Sequence, residues 1–188
     1  MTTDDQPLST KRRWVLFVVI IAGLVALDQW SKWYAVAHWQ GIPRQSFLGD
    51  TFRIEYAENH GAFLSFLAGA SPEVRFWTLT VMNGLVLVGL AIYLLWSKDV
   101  AFWSFFALTL VVGGGIGNLI DRARFHYVID YFNIGIGSLR SGIFNVADMA
   151  ITAGFLIMGW LILLDSRQEK ATTSVARPTD SDQASQPA

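Results

Sequence analysis

The chain has 188 residues, of which 53% are hydrophobic, 14% aromatic and 15% charged, with no cysteine and a net charge of -1. This charged fraction lies well below the roughly 25% of an ordinary soluble domain, and the composition excludes a disordered chain, a collagen and a disulfide scaffold. It also excludes a thiolate zinc site and gives no electrostatic footprint for nucleic acid, leaving a small, single-domain integral membrane protein.

A bilayer core takes about 20 mostly apolar residues per helix, and four segments meet that length. After an N-terminal tail (1–13), the first span covers 14–36 and is interrupted near its end by Asp28, Gln29, Ser31 and Lys32. Lys11, Arg12 and Arg13 before it resemble the start of a signal peptide. The apolar run is long for one, however, and no small-x-small site precedes the charged patch, so a retained helix is expected. In the following loop (37–75), residues 47–56 read FLGDTFRIEY, strand formers around a Gly-Asp turn. This predicts a small β-hairpin or short sheet lying on the membrane surface. Ser71-Pro72-Glu73 suits a helix start, with Ser as N-cap and Pro in the first helical position.

The second span covers 76–96 and the third 100–120; only Ser97, Lys98 and Asp99 separate them, which predicts a tight antiparallel pair. Gly113, Gly114, Gly115 and Gly117 look like a phosphate loop, but no Lys-Ser/Thr follows and the run lies inside a span. Close helix packing by small residues is the better reading. A loop at 121–142 leads to the fourth span at 143–164. The tail at 165–188 is rich in Ser, Thr, Gln and Pro and is expected to be disordered. The fold class is therefore all-α integral membrane, with four transmembrane helices and a small extramembrane β element in the first outer loop.

Orientation follows from the cations near the spans. Lys11, Arg12, Arg13, Lys98, Arg167 and Lys170 lie on one side; Arg44, Arg53, Arg75, Arg122, Arg124 and Arg140 lie on the other, so the count is balanced. The N-terminal cluster sits directly beside the first helix, which places both termini in the cytoplasm and loops 37–75 and 121–142 outside.

On that orientation the polar residues within the spans share one depth. Asp28 lies about 21 Å along the first helix from Trp14 at 1.5 Å per residue. Asn83 lies in the outer half of the second span, Asn118, Asp121 and Arg122 end the third, and Asn145 and Asp148 open the fourth. Ionisable residues in spans are costly and mark function by default. Asn118 with Asp121, and Asn145 with Asp148, are i,i+3 pairs, so each of these helices presents an amide beside a carboxylate. Asp28 and Lys32, at i,i+4, suit a structural ion pair.

Four acids, Asp28, Asp121, Asp130 and Asp148, then gather with only Lys32 and Arg122 close in sequence as counter-charges. Two carboxylates forced together cannot both ionise. One activates water while its protonated partner supports the carbonyl oxygen, the chemistry of aspartic peptidases. Other hydrolytic signatures are missing: there is no GxSxG, no cysteine and no HExxH. His38, His60 and His126 have no metal-ligand spacing, so neither metal nor cofactor is expected. A proton-conducting carrier would place its acids nearer the midplane and show repeats. A presenilin-like protease would need GxGD, whereas Asn118 follows Gly117 here. Spacing does not choose between Asp121 and Asp130.

Five blocks occur in order: Asp28-Gln29-Trp30-Ser31-Lys32, Asn59-His60-Gly61-Ala62-Phe63, GGGIGNLIDR at 113–122, Val128-Ile129-Asp130-Tyr131, and Phe144-Asn145-Val146-Ala147-Asp148. Together they resemble the bacterial lipoprotein signal peptidase (signal peptidase II) family across 14–164. Ser31, Gly115 and Tyr131 stand where the family often has Thr, Ala and Phe; no carboxylate is affected. The resemblance implies an intramembrane aspartic endopeptidase of the bacterial inner membrane. Its implied substrate is a diacylglyceryl-modified prolipoprotein, cut just before the lipidated cysteine near the outer leaflet. It implies Asp130 and Asp148 as the catalytic pair, supported by Asp28, Asn59, Asn118, Asp121, Arg122 and Asn145; Gly61 joins the site through its matching block, and Lys32 as the ion-pair partner of Asp28. It also implies a β-cradle from loop 37–75. A monomer embedded in membrane lipid is expected.

Overall fold

The computed structural model of the chain describes residues 9–61, 71–97 and 99–175; Ala62 and Phe63 of the second block, Lys98 and 176–188 lie outside the described residues. Four helices long and apolar enough to cross a membrane, and one four-stranded antiparallel sheet, make up the described fold. Helix α1 spans Thr10–Trp39, α2 Pro72–Trp96, α3 Phe102–Phe125 and α4 Val146–Val175. At 1.5 Å per residue, α1 and α4 are each about 45 Å long, so both overrun a bilayer core.

Local chemistry sets several of these ends. The Ser71 side chain accepts from the Val74 N–H at 3.3 Å, and Pro72 opens α2, as the sequence predicts. Helix α3 ends at His126, which adopts a left-handed φ of 67°. The break expected after Leu164 does not occur. Arg167, Gln168, Glu169, Lys170 and Ala171 are good helix formers, so propensity carries α4 to Val175 beyond its apolar stretch.

Helix α3 is the most buried of the four, and α1, α2 and α4 all pack on it. The glycines explain the closeness. A Cβ on Gly114 would run into the Ala147 carbonyl, and one on Gly154 would meet the Ala107 carbonyl at 2.5 Å, so α3 and α4 touch nearly backbone to backbone. The glycine run of α3 is thus a packing surface. At the end of the bundle remote from the sheet, Phe17, Leu94, Val100, Phe105 and Val112 form the core. There Arg13 is buried: it donates to the Val100 carbonyl at 3.0 Å and lies over the Phe105 ring at 5.7 Å. Arg13 therefore clamps α1 to the start of α3.

The sheet caps the other end of the bundle. Strands β1 (Gln45–Phe47) and β2 (Phe52–Asn59) form the hairpin read from 47–56. Strands β3 (Val128–Ile136) and β4 (Leu139–Arg140) come from 121–142, where a loop was expected. Residues 128–136, VIDYFNIGI, carry β-formers throughout, and β2 supplies the partner needed to make them a strand. Trp39 packs on Tyr131 and Phe132, joining the end of α1 to the sheet.

Candidate active site

One turn of α1, the last turns of α3, the root of β3 and the first turn of α4 meet beneath the sheet. Lys32 is the hub, being 2% exposed. Its Nζ lies 2.9 Å from each of Asp28 Oδ2, Asp121 Oδ2 and Asn118 Oδ1. Three ammonium donors thus meet three acceptors, which is the full capacity of the group.

The two carboxylates on Lys32 each hold backbone. Asp28 Oδ1 accepts the Ala147 N–H at 2.9 Å, in the first turn of α4, where an anion also suits the helix dipole. Asp121 Oδ2 accepts the Ile129 N–H at 3.1 Å and so fixes the start of β3. Gln29 Nε2 joins them, donating to Asp121 Oδ1 at 2.9 Å and to the Gly117 carbonyl at 3.2 Å. Ser31 Oγ donates to the Asp28 carbonyl at 2.7 Å and lies 2.5 Å from the Tyr131 hydroxyl.

The other two acids have amides for partners. Asn145 caps α4: its Oδ1 accepts the Asp148 N–H at 3.0 Å while Asp148 Oδ2 accepts the Asn145 N–H at 3.2 Å, the reciprocal bonding of a capping box. Asp148 Oδ1 accepts from Asn118 Nδ2 at 2.8 Å. Asp130, on β3, accepts from Asn145 Nδ2 at 2.7 Å through Oδ1 and from Asn59 Nδ2 at 2.9 Å through Oδ2. Asn145 therefore binds both carboxylates. Burial pushes the Asp130 carboxyl up to about 7, with the Asp148 charge adding to the rise; the hydrogen bonds from Asn59 and Asn145 and the more distant Lys32 oppose it.

The amide orientations follow from their neighbours. Lys32 can only donate, so Asn118 turns its oxygen there and its NH2 to Asp148. The Asp148 N–H can only donate, so Asn145 turns its oxygen there and its NH2 to Asp130.

Comparison with known proteins then decides the family. Residues 20–164 match the family described as Signal peptidase (SPase) II. The chain is 36% identical over 174 residues to the lipoprotein signal peptidase of Sphingopyxis alaskensis, covering 91% of this chain and 98% of that one. It is 38% identical over 144 residues to the lipoprotein signal peptidase of Streptococcus pyogenes, covering 76% and 90%. The chain belongs to the signal peptidase II family. It is a membrane-spanning protease. Two solved bacterial membrane enzymes share the fold, with TM-scores of 0.68 and 0.66 at 20% and 22% identity; the match covers 86% and 88% of this chain and 97% and 93% of theirs.

In this signal peptidase II family chain, most of the residues singled out from sequence come together: Asp28, Lys32, Asn59, Asn118, Asp121, Asp130, Asn145 and Asp148. Gly61 adds its N–H to Asn59 Oδ1 at 2.9 Å, which orients the Asn59 amide toward Asp130. Arg122 differs from expectation. It is half-buried, in the field of Asp148, Asp130 and Asp121, but among the described residues it is in no ion pair. Lys32 pairs with Asp28 and Asp121 instead, because it lies on the helix face turned to α3. Asn83 is exposed on α2, apart from the cluster. Gln29 and Tyr131 were not anticipated as members of the network. A polar side chain within a span next to Asp28 was the available signal for Gln29.

Gly117 shows how tightly the network is fitted. A Cβ there would lie 2.6 Å from Asp28 Oδ2 and 3.1 Å from its Cγ. Asp28 is held by both Lys32 and Ala147, so it has little room to yield. Gly117→Ala is expected to cost about 1–3 kcal/mol, read as a lower thermal midpoint in detergent. Gly159→Ala, where a Cβ meets nothing within 4 Å, should leave the midpoint unchanged or raise it.

Proposed function

We propose that this chain removes the signal peptide from diacylglyceryl-modified prolipoproteins, cutting just before the lipidated cysteine, with Asp130 and Asp148 as an aspartic dyad. One observation carries the choice of dyad. Of the four clustered acids, Asp28 and Asp121 are both paired with Lys32, whereas Asp130 and Asp148 share amide donors and are bridged by Asn145. Only the second pair is free to exchange protons.

The resting proton sits on Asp130, and Asp148 serves as the base. Asp148 lies at the N-terminus of α4 and accepts from one backbone N–H and the Asn118 amide. Asp130, shut away from water, favours the neutral acid. Asp148 takes a proton from water as the oxygen attacks the scissile carbonyl, and Asp130 gives its proton to the carbonyl oxygen. The tetrahedral diol collapses with C–N cleavage. The amine leaves with the proton held on Asp148, and Asp130 recovers its proton from a diol hydroxyl, restoring the resting pair.

The site lies near the outer leaflet of a bacterial inner membrane, with both termini cytoplasmic, and the chain works as a monomer. Among the described residues, α2 and α4 each pack mainly on α3. This leaves a lateral approach by which a lipidated signal peptide reaches Asp148 without leaving the bilayer. The scissile segment unwinds on arrival, because helical hydrogen bonds occupy its carbonyl.

Purified protein in detergent should cleave a synthetic diacylglyceryl prolipoprotein before the modified cysteine and spare the unlipidated peptide. Equal turnover of both, or cutting elsewhere, would refute the substrate assignment. The acid role of Asp130 also predicts a fall in kcat/KM above about pH 7. Stability carries the same sign. The folded carboxyl holds a proton that the unfolded one, with its ordinary value of 3.8, has released, so Asp130's contribution is full below about pH 4 and fades as pH rises through about 7. Thermal midpoints at pH 5 and 8, compared with those of Asp130→Asn, isolate this slope.

A further inference from the structure

Asn83 is a polar residue within a span that the hydrogen-bonded cluster does not include. It is the only amide or charged side chain between Phe76 and Trp96, the part of α2 apolar enough to cross a membrane, and it is exposed. Polar groups at such depth are costly and mark function by default. Phe76 fixes the level of α2, since its ring packs on that of His126, the cap of α3, with centroids 4.6 Å apart. Asn83 lies seven residues, or about 10 Å, further in.

The contacts between α2 and α3 show which way Asn83 leans. Leu87 lies directly against Gly115, and Gly84 lies beside Leu119, whose Cδ2 would be 3.9 Å from a Cβ there. At 3.6 residues per turn, Leu119 turns about 40° to one side of Gly115, while Arg122 and Asn118 turn about 20° and 60° to the other. On α2, Gly84 turns about 60° from Leu87 toward the Leu119 side, and Asn83 turns about 40° the opposite way. Asn83 therefore leans toward the flank of α3 that carries Arg122 and Asn118. Further round that flank, Gly114 touches α4 at Ala147 and Ile151. Asn118 and Arg122 thus floor a cleft between α2 and α4. Asn83 stands on one wall and Asp148, bonded to Asn118, on the other. The pairing of Gly84 with Leu119 puts both walls' polar residues at one depth, to within about a turn.

We propose that Asn83 is a substrate-binding residue that holds the backbone of the unwound signal segment from the side of the cleft opposite Asp148. The inference rests on the cleavage proposed above. A segment opened for attack has given up its helical hydrogen bonds, and hydrocarbon supplies no replacement for its bared N–H and C=O groups. Asp148 and Asp130 meet one edge of the extended peptide; the other edge faces α2. A carboxamide offers both a donor and an acceptor, which matches a peptide unit whatever its side chain. Asn83 thus steadies the segment in its opened form without reading its sequence, and takes no part in proton transfer.

The first test compares wild type with Asn83→Leu on a synthetic diacylglyceryl prolipoprotein in detergent. Leucine has a similar volume and is at home in lipid. The substitution is expected to raise KM about 3–10-fold, the loss of one hydrogen bond to substrate, and to leave kcat, the pH profile and the thermal midpoint as they were. An unchanged KM would overturn the proposal; if the midpoint also fell, the amide would belong to a contact between helices. A fall in kcat alone would overturn it as well, by placing the amide in the chemistry. Failure of the wild type to cut the lipidated peptide would defeat the proposed function and this inference with it, whereas wild-type cutting with an unchanged KM in Asn83→Leu would defeat this inference alone. A second test reads position. Because the chain has no cysteine, Asn83→Cys or Leu85→Cys in an Asp148→Asn chain provides a single thiol. Leu85 is 65% exposed and faces away from the cleft. A substrate with a free cysteine two residues before the cut, its modified cysteine being closed as a thioether, should form a disulfide with position 83 and not with 85. Equal capture at both would put the segment outside the cleft and overturn the proposal. Capture at neither, with a raised KM in Asn83→Leu, would make the diacylglyceryl esters the ligand and overturn the assignment to peptide.

Discussion

Asp130→Asn and Asp148→Asn are each expected to lower turnover of a lipidated prolipoprotein by about 10⁴-fold or more while leaving the bundle folded. Asparagine keeps the shape of either side chain but can neither relay a proton nor carry the charge. The two losses should not add. If the carboxylates act as one unit, the double variant retains about the same residual rate as either single variant. Asp148→Asn also weakens the reciprocal cap with Asn145, which costs about 1 kcal/mol, so its thermal midpoint should drop modestly. Asp28→Asn and Asp121→Asn should behave in the opposite order. Each places an NH2 group against donors that need an acceptor, Ala147 N–H and Lys32 for the first, Gln29, Lys32 and Ile129 N–H for the second. Stability then falls before chemistry does. Turnover within tenfold of wild type in either dyad variant would end the assignment of Asp130 and Asp148.

The contrast between these two pairs of acids is also where sequence reading stops. The four apolar runs, the Ser71-Pro72 helix start and the hairpin around Gly49-Asp50 are local signals, and the structure places each where the residues predict. The shared depth of Asp28, Asn118, Asp121, Asn145 and Asp148 follows from helix rise alone, and they do meet. Which cation serves which acid is a matter of helix rotation. Arg122 is adjacent to Asp121 in the chain, yet Lys32, 89 positions away, points at it. Strand β3 was hidden for a related reason. Its nine residues become a strand by pairing with β2, about 75 positions earlier in the chain, and no local pattern announces a partner so distant. Asp130 thus sits on a ribbon tied to both α1 and α3, where the sequence suggested a loop. The end of α4 was missed because composition was read as polarity: the residues after Leu164 are polar, but they are also helix formers.

Lys32→Met is expected to be the most destabilising single change in the network. Buried ion pairs often add little net stability, because desolvation offsets attraction, but removing one partner strands the other. Here one ammonium serves two carboxylates, Asp28 at 2% and Asp121 at 0% exposure, so its loss strands both. A cost of about 3–5 kcal/mol is expected, visible as a large fall in the thermal midpoint and in yield. A second effect follows from donor logic. Without Lys32, Asn118 Oδ1 keeps only the Asn145 Nδ2 donor at 3.1 Å, so the amide that donates to Asp148 Oδ1 is held less firmly. Residual folded enzyme should therefore show lower kcat and a basic limb displaced to higher pH, because Lys32 helps to hold the Asp130 carboxyl down, and neither effect follows from instability alone. Lys32→Arg tests the geometry separately. It keeps the charge, but a planar fork is ill suited to three acceptors converging on a single nitrogen, so it should recover only part of the stability. A Lys32→Met protein that unfolds within about 1 kcal/mol of wild type would mean that Asp28 and Asp121 are held by their backbone donors, and that the cation is not the hub of the site.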